Sequence, residues 1–153
     1  MTNTVNTLPR PTESELELLR ILWEKQPATV RDIFDALNEE RPSGYTTVLK
    51  LLQIMTAKGL VVRDEANRAH VYRSTISQDA MQSKILKDLS MRLFSGSAAQ
   101  LALHALAMEP ASDTELDEIR ALLRKKAADA TFNGAISNTN AQLPTQAKGR
   151  VEL

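Results

Sequence analysis

Thr46, Thr47, Lys50, Gln53 and Ile54 stand at spacings that place them on one side of a helix, and their types suit the reading of base edges. Small hydroxyls near a helix start let the backbone approach a major groove, an amine at Lys50 can donate to guanine acceptors, and methyl groups can touch thymine. Ser43 and Tyr45, just ahead of this run, complete the candidate set on the helix. Around it lie Lys58, Arg63, Arg68 and Arg73, cations placed to meet phosphates, with His70 between the last two as an exposed side chain.

Catalytic chemistry has little to stand on. The chain has two histidines, His70 and His104, in neither metal-ligand nor triad spacing, and no cysteine, which removes disulfides, thiolate metal sites and thiol nucleophiles together. Glu13, Glu15 and Glu17 alternate, so they share no helical face as paired carboxylates would, and no glycine-rich phosphate loop occurs. We expect no enzyme activity, no cofactor and no metal. No apolar run approaches the roughly 20 residues of a membrane span, and the start MTNTVNTLPRP has neither a basic nor an apolar stretch, so a cytoplasmic protein without membrane insertion is expected.

The elements that must position these residues follow from periodicity and caps. Thr12 to Glu15 has the form of a capping box, and Leu16, Leu19, Leu22 and Trp23 follow at helical spacing, predicting a helix over about 12–25 that Pro27 closes. Thr29 and Asp32 repeat the cap ahead of Val30, Ile33, Phe34 and Leu37, a second helix ended near Glu40 by Pro42. Ser43 is suited to cap a third, with Val48, Leu51, Leu52 and Met55 as its inner stripe and Gly59 as the left-handed stop. Leu60 to Val62 and Ala69 to Tyr72 read as two short strands around a turn at Ala66-Asn67. Three helices and a hairpin make a winged helix-turn-helix, the hairpin being the wing.

Beyond Ser77 the pattern is helical throughout. Met81, Ile85, Leu89 and Leu93 form one stripe; Leu101, Leu103 and Leu106 lie in a segment almost wholly apolar; Leu116, Ile119 and Leu123 follow a cap at Ser112. Three such helices cannot cover one another, so these residues are expected at the seam of a homodimer. The fold class is mainly α with a small β-hairpin, divided into a flexible start (1–8), a winged-helix domain (9–76), a helical dimerisation region (77–127) and a disordered tail (128–153).

Charge is divided along the chain although the formal total is zero. Residues 10–40 carry four basic against eight acidic side chains, whereas residues 41–76, which hold the candidate reader, carry six against two. The acidic first two helices equally suit a winged helix that meets protein rather than DNA, and the apolar C-terminal helices permit a small-molecule pocket without indicating one.

TESELELLRILWEKQPATVRDIFDALNEE, GYTTVLKLLQIMTAKGLV and RAHVYR resemble the penicillinase-repressor family (BlaI/MecI type) of winged-helix regulators, over about residues 12–126. LFSGSAAQLALHAL with the final amphipathic helix is similar to that family's dimerisation region. The resemblance implies a homodimer on a two-fold symmetric, pseudo-palindromic DNA operator that represses transcription, often of β-lactam resistance or a related regulon. It also implies relief, in members paired with a membrane sensor metalloprotease, by cleavage in the C-terminal region. It puts Thr46, Thr47 and Lys50 in the recognition helix and Arg68 and His70 on the wing. Two positions depart from the pattern: Ile54 stands where many relatives have a basic residue, and His104-Ala105 stands where studied members are cut at Asn-Phe. The cysteine cluster of copper-responsive relatives is missing, which excludes that branch.

Overall fold

A computed structural model describes residues 9–66 and 68–139. The expected flexible start at 1–8, Asn67 of the expected turn, and residues 140–153 of the expected tail lie outside the described residues. The element order is α1 (Glu13–Lys25), β1 (Ala28–Thr29), α2 (Val30–Glu40), α3 (Tyr45–Lys58), β2 (Val61–Asp64), β3 (Val71–Ser74), α4 (Gln78–Leu93), α5 (Ala98–Met108) and α6 (Asp113–Thr139).

Both first caps form as the sequence predicts. The Thr12 hydroxyl accepts from Glu15 N at 3.3 Å while Glu15 Oε2 accepts from Thr12 N at 2.9 Å, and Thr29 and Asp32 exchange the same pair of bonds at the start of α2. The cap of α3 differs. Gly44 holds that position without a side-chain bond, because Ser43 is engaged by the end of α2: its N–H donates to Asn38 Oδ1 at 3.0 Å and its hydroxyl accepts from Arg41 Nη1 at 3.2 Å. Gly59 ends α3 at φ 79°, the left-handed conformation a glycine adopts without strain.

The winged-helix domain has a three-stranded antiparallel sheet, ordered β1-β3-β2, in place of a bare hairpin. β3 pairs Val71 with Asp64 and Ser74 with Val61 on one edge, and Val71 with Thr29 and Tyr72 with Ala28 on the other. Leu18, Leu19, Leu22, Ile33, Leu37, Val48, Leu52, Met55, Leu60 and Tyr72 form one buried core beneath the helices and sheet. Trp23 borders it and donates its indole N–H to Ile76 O at 2.9 Å, tying α1 to the chain just past the sheet.

The chain divides into two compact units between Ala98 and Ala99, not near residue 76. The reason lies in α4. Its first turns are capped by Ser77, Met81 is buried in the winged-helix core and Ile85, partly buried, packs against that core, so the start of the expected seam stripe is occupied by the first unit. The same stripe leaves the core further on, and Leu93 is 70% exposed.

In the second unit the Ser112–Glu115 box caps α6, with Ser112 N donating to Glu115 Oε2 at 2.8 Å and Glu115 N donating to Ser112 Oγ at 3.3 Å. α6 continues to Thr139, so residues 128–139, expected to be disordered, are helical. Adding a residue to an existing helix avoids the nucleation cost, and Ala127, Ala128, Ala130 and Ala135 favour the extension. α5 has no buried residue: Leu103 is 60% and Met108 77% exposed, and Leu101, with Leu116 and Ile119 of α6, is partly covered. Among the described residues no helix is long and apolar enough to cross a membrane.

Candidate nucleic-acid interface

α3 divides cleanly into an inner and an outer face. Val48, Leu52 and Met55 are fully buried, and the opposite side presents Tyr45, Thr46, Thr47, Lys50, Gln53 and Ile54 to solvent. Periodicity produces this division: the apolar stripe at i, i+4 and i+7 fixes which side turns inward, and the polar residues between take the other.

Its N-terminus differs from those of α1 and α2. Each of those has a carboxylate closing a capping box, but α3 has neither a side-chain cap nor an acidic residue in its first turn. Its first backbone N–H groups and the positive end of its dipole therefore meet no intramolecular carboxylate there, which favours an approaching anion.

Tyr45 stands at this end with its ring edge-on to Phe34, centroids 5.5 Å apart. Beside it the start of α2, the start of α3 and the wing enclose an open groove of about 370 Å³ that brings together Tyr45, Arg63 and His70. Arg31 also lines it, a side chain that sequence reasoning missed. Its guanidinium lies 5.6 Å from the Phe34 ring centroid and pairs with Asp35 at 3.2 Å. A basic residue one position into a predicted helix, beside a capping box, was the available signal. Gln53 and Arg63 also share the wall of a second groove, between the outer end of α3 and the wing.

The wing's cations are not equivalent. Arg63 is paired with Glu65, whose hydrogen bond and charge, with a further bond to Tyr72, raise its already high pKa. Arg68, His70 and Arg73 are exposed, and like Lys50 they have no ion-pair partner among the described residues. Lys58, its side chain 30% exposed, has its ammonium 2.7 Å from Oε1 of Glu15, a carboxylate only 2% exposed, so its charge is engaged by a partner within the domain. Ser43 faces the end of α2, as described above, rather than the open face of α3.

The model of the penicillinase repressor family matches residues 11–125, three-quarters of the chain. The chain belongs to the penicillinase repressor family. A methicillin resistance regulatory protein MecI of Mammaliicoccus sciuri is 26% identical over 113 residues, covering 74% of this chain and 92% of the relative. A transcriptional regulator BlaI of Mycobacterium tuberculosis is 30% identical over 117 residues, 76% of this chain and 84% of the relative. The solution structure of monomeric Bacillus licheniformis BlaI in complex with the blaP half-operator is similar at TM-score 0.43 and 19% identity, over 48% of this chain and 89% of that one. Penicillinase repressors are regulators and not enzymes. In this member of the family, the outer face of α3 and Arg68, His70 and Arg73 of the wing are exposed to solvent.

Proposed function

We propose that this chain is a transcriptional repressor that binds a pseudo-palindromic DNA operator as a homodimer. α3 enters the major groove, and the β2–β3 wing lies along the flanking backbone. The observation that carries this reading is the outer face of α3, where Thr46, Thr47, Lys50 and Gln53 are exposed on a helix whose other side is locked into the core and whose start carries no capping carboxylate. Thr46, Thr47 and Lys50 are assigned base edges, Gln53 an adjacent base or sugar, and Arg68 with His70 the phosphates. Tyr45 and Arg63 line the groove beside α3, and they are assigned to the same phosphates.

Dimerisation is assigned to the second unit with the end of α4. Leu89 and Leu93 on α4, Leu101, Leu103 and Leu106 on α5, and Leu116, Ile119 and Leu123 on α6 retain apolar surface that a second copy can cover. Full burial of such side chains is worth about 1.5–3 kcal/mol each. Two copies would then reach half-sites roughly 34–36 Å apart, one turn of duplex. Derepression is assigned to proteolytic loss of these helices, with a membrane sensor metalloprotease as the partner that the family resemblance implies.

The test is enrichment of duplexes from a random library by the intact chain, followed by affinity measurements on the enriched and a scrambled duplex across a salt series. A repressor should prefer the enriched duplex by about 10³-fold or more, with affinity falling steeply as salt rises. Absence of both preference and salt dependence would instead support a protein-binding winged helix, for which the acidic first two helices speak.

A further inference from the structure

Lys58 is the last residue of α3, and the chain turns immediately through Gly59 into the wing. At this junction the fold holds an ion pair between residues 43 positions apart: Lys58 Nζ donates to Glu15 Oε1 at 2.7 Å. The other carboxylate oxygen is also engaged, accepting from Thr12 N at 2.9 Å, so the cap of α1 fixes the direction in which Glu15 presents its charge. From the opposite side Thr75 closes on the same turn, its hydroxyl donating to Gly59 O at 2.6 Å and its N–H to Leu60 O at 3.0 Å. The point where α3 becomes the wing is thus tied to the first turn of α1 and to the end of β3.

Stability alone does not account for such a pair. Glu15 is buried and the Lys58 side chain is 30% exposed, and an ion pair that gives up water in this way is often replaceable by apolar side chains at no loss of stability, because desolvation offsets its attraction. What it adds is an anchor: the Thr12 N–H holds the carboxylate in place and the ammonium must stay within reach of it, whereas two apolar side chains tolerate sliding. Direction matters at this end of α3. Thr46 lies about 18 Å along the helix from Lys58 at 1.5 Å per residue, so a tilt of about 5° about the junction moves it by roughly 1.5 Å. Base contacts fail at such displacements, while contacts to phosphates adapt.

We propose that Glu15 and Lys58 are positioning residues for DNA recognition: their pair pins the junction of α3 and the wing to α1, setting the angle at which the reading face meets base edges. Lys58 accordingly contributes discrimination between sequences rather than a phosphate contact. This rests on the DNA-reading function proposed above, which the intact chain tests separately.

The experiment measures the intact chain, Lys58→Met and Glu15→Gln on the enriched and scrambled duplexes over the same salt series. Glutamine keeps an acceptor for Thr12 N–H while removing the charge. Both substitutions should weaken binding to the enriched duplex by about tenfold or more, leave the scrambled duplex within about twofold, and leave the slope of log affinity against log salt unchanged. Lys58→Arg, which keeps the pair, should retain the discrimination of the intact chain. Fluorescence of Trp23, the only tryptophan, reports whether each variant is folded, and if Lys58→Met is not, Glu15→Gln decides. Equal losses on both duplexes with a slope lower by about one for Lys58→Met would make Lys58 a phosphate contact and overturn the proposal. So would unchanged discrimination in Glu15→Gln. An intact chain that enriches no duplex would sink the DNA reading itself, and this inference with it.

Discussion

Ending the chain at Ser97 should leave a folded, monomeric reader that binds a complete operator about 10³–10⁴-fold more weakly than the intact protein. The fold of the first unit should survive because its buried residues all precede the cut: the last are Met81 and Ser90, and α5, the first helix removed, buries nothing. A cut at Ser77, which the sequence alone recommends, would instead remove Met81 from the core and should destabilise the domain by about 2–5 kcal/mol, the usual cost of emptying such a site. The loss in affinity follows from linkage. One reader confined within about 34 Å of its partner's half-site is present at an effective concentration of about 10 mM, the concentration of one molecule in a sphere of that radius. Against a half-site dissociation constant of about 1–10 μM, the second reader then gains about 10³–10⁴-fold. Sedimentation velocity, Trp23 fluorescence and titration of one- and two-half-site duplexes check the three parts. A truncated chain that still sediments as a dimer, or binds the two-half-site duplex as tightly as the whole, would refute the role given to α5 and α6. An unfolded one would refute the boundary.

Lys50→Ala should cost about 1–3 kcal/mol at one base position if its amine pairs with base acceptors, and binding to a panel of single-position variants should lose its preference there and nowhere else. Arg68→Ala should weaken enriched and scrambled duplexes about equally and lower the salt slope by about one; a changed preference at one base would instead place the wing in a groove. Glu17 is held below its ordinary pKa by its hydrogen bond and charge contact with Arg41, the nearest atoms 2.6 Å apart, so the stability this adds is present above the ordinary carboxylate range and lost as the pH falls through the lowered value. Thermal melts should therefore show Glu17→Gln less stable than the parent at neutral pH, with the gap closing on acidification; a gap that persists at acid pH would mean the charge is not its source.

How much of this was legible in the sequence depended on the range of the interaction concerned. The starts of α1 and α2 could be read because a capping box is complete within four residues. The start of α3 could not, since Ser43 is claimed by Arg41, itself held by Glu17 from α1, and no local pattern records that chain of contacts. β1 is two residues long and exists as a partner for β3, below the length at which alternation can be seen. The wing strands lie slightly later than their apolar runs, at Val61–Asp64 and Val71–Ser74, because Leu60 is taken into the end of α3, donating to Met55 O, and the sheet is continued by polar residues on its exposed edge.

The reading face of α3 illustrates the same division on the functional side. Val48, Leu52 and Met55 show in the sequence which side of the helix is buried, and Thr46, Thr47, Lys50 and Gln53 are then exposed by geometry alone. Charge near that face is a weaker guide, because a lysine at the end of a helix looks the same whether it faces phosphate or a carboxylate folded in from elsewhere. Lys50 and Lys58 are eight positions apart on one helix, and only the second meets Glu15. Counting basic residues along residues 41–76 therefore overstates the positive surface offered to a ligand: Arg41 is bound to Glu17, Lys58 to Glu15 and Arg63 to Glu65. The cations without an ion-pair partner among the described residues, Lys50, Arg68 and Arg73, are divided between α3 and the wing. On the function proposed above, two copies would bring these cations together on one duplex, enough for a salt-dependent hold, while the choice between sequences would rest on base contacts.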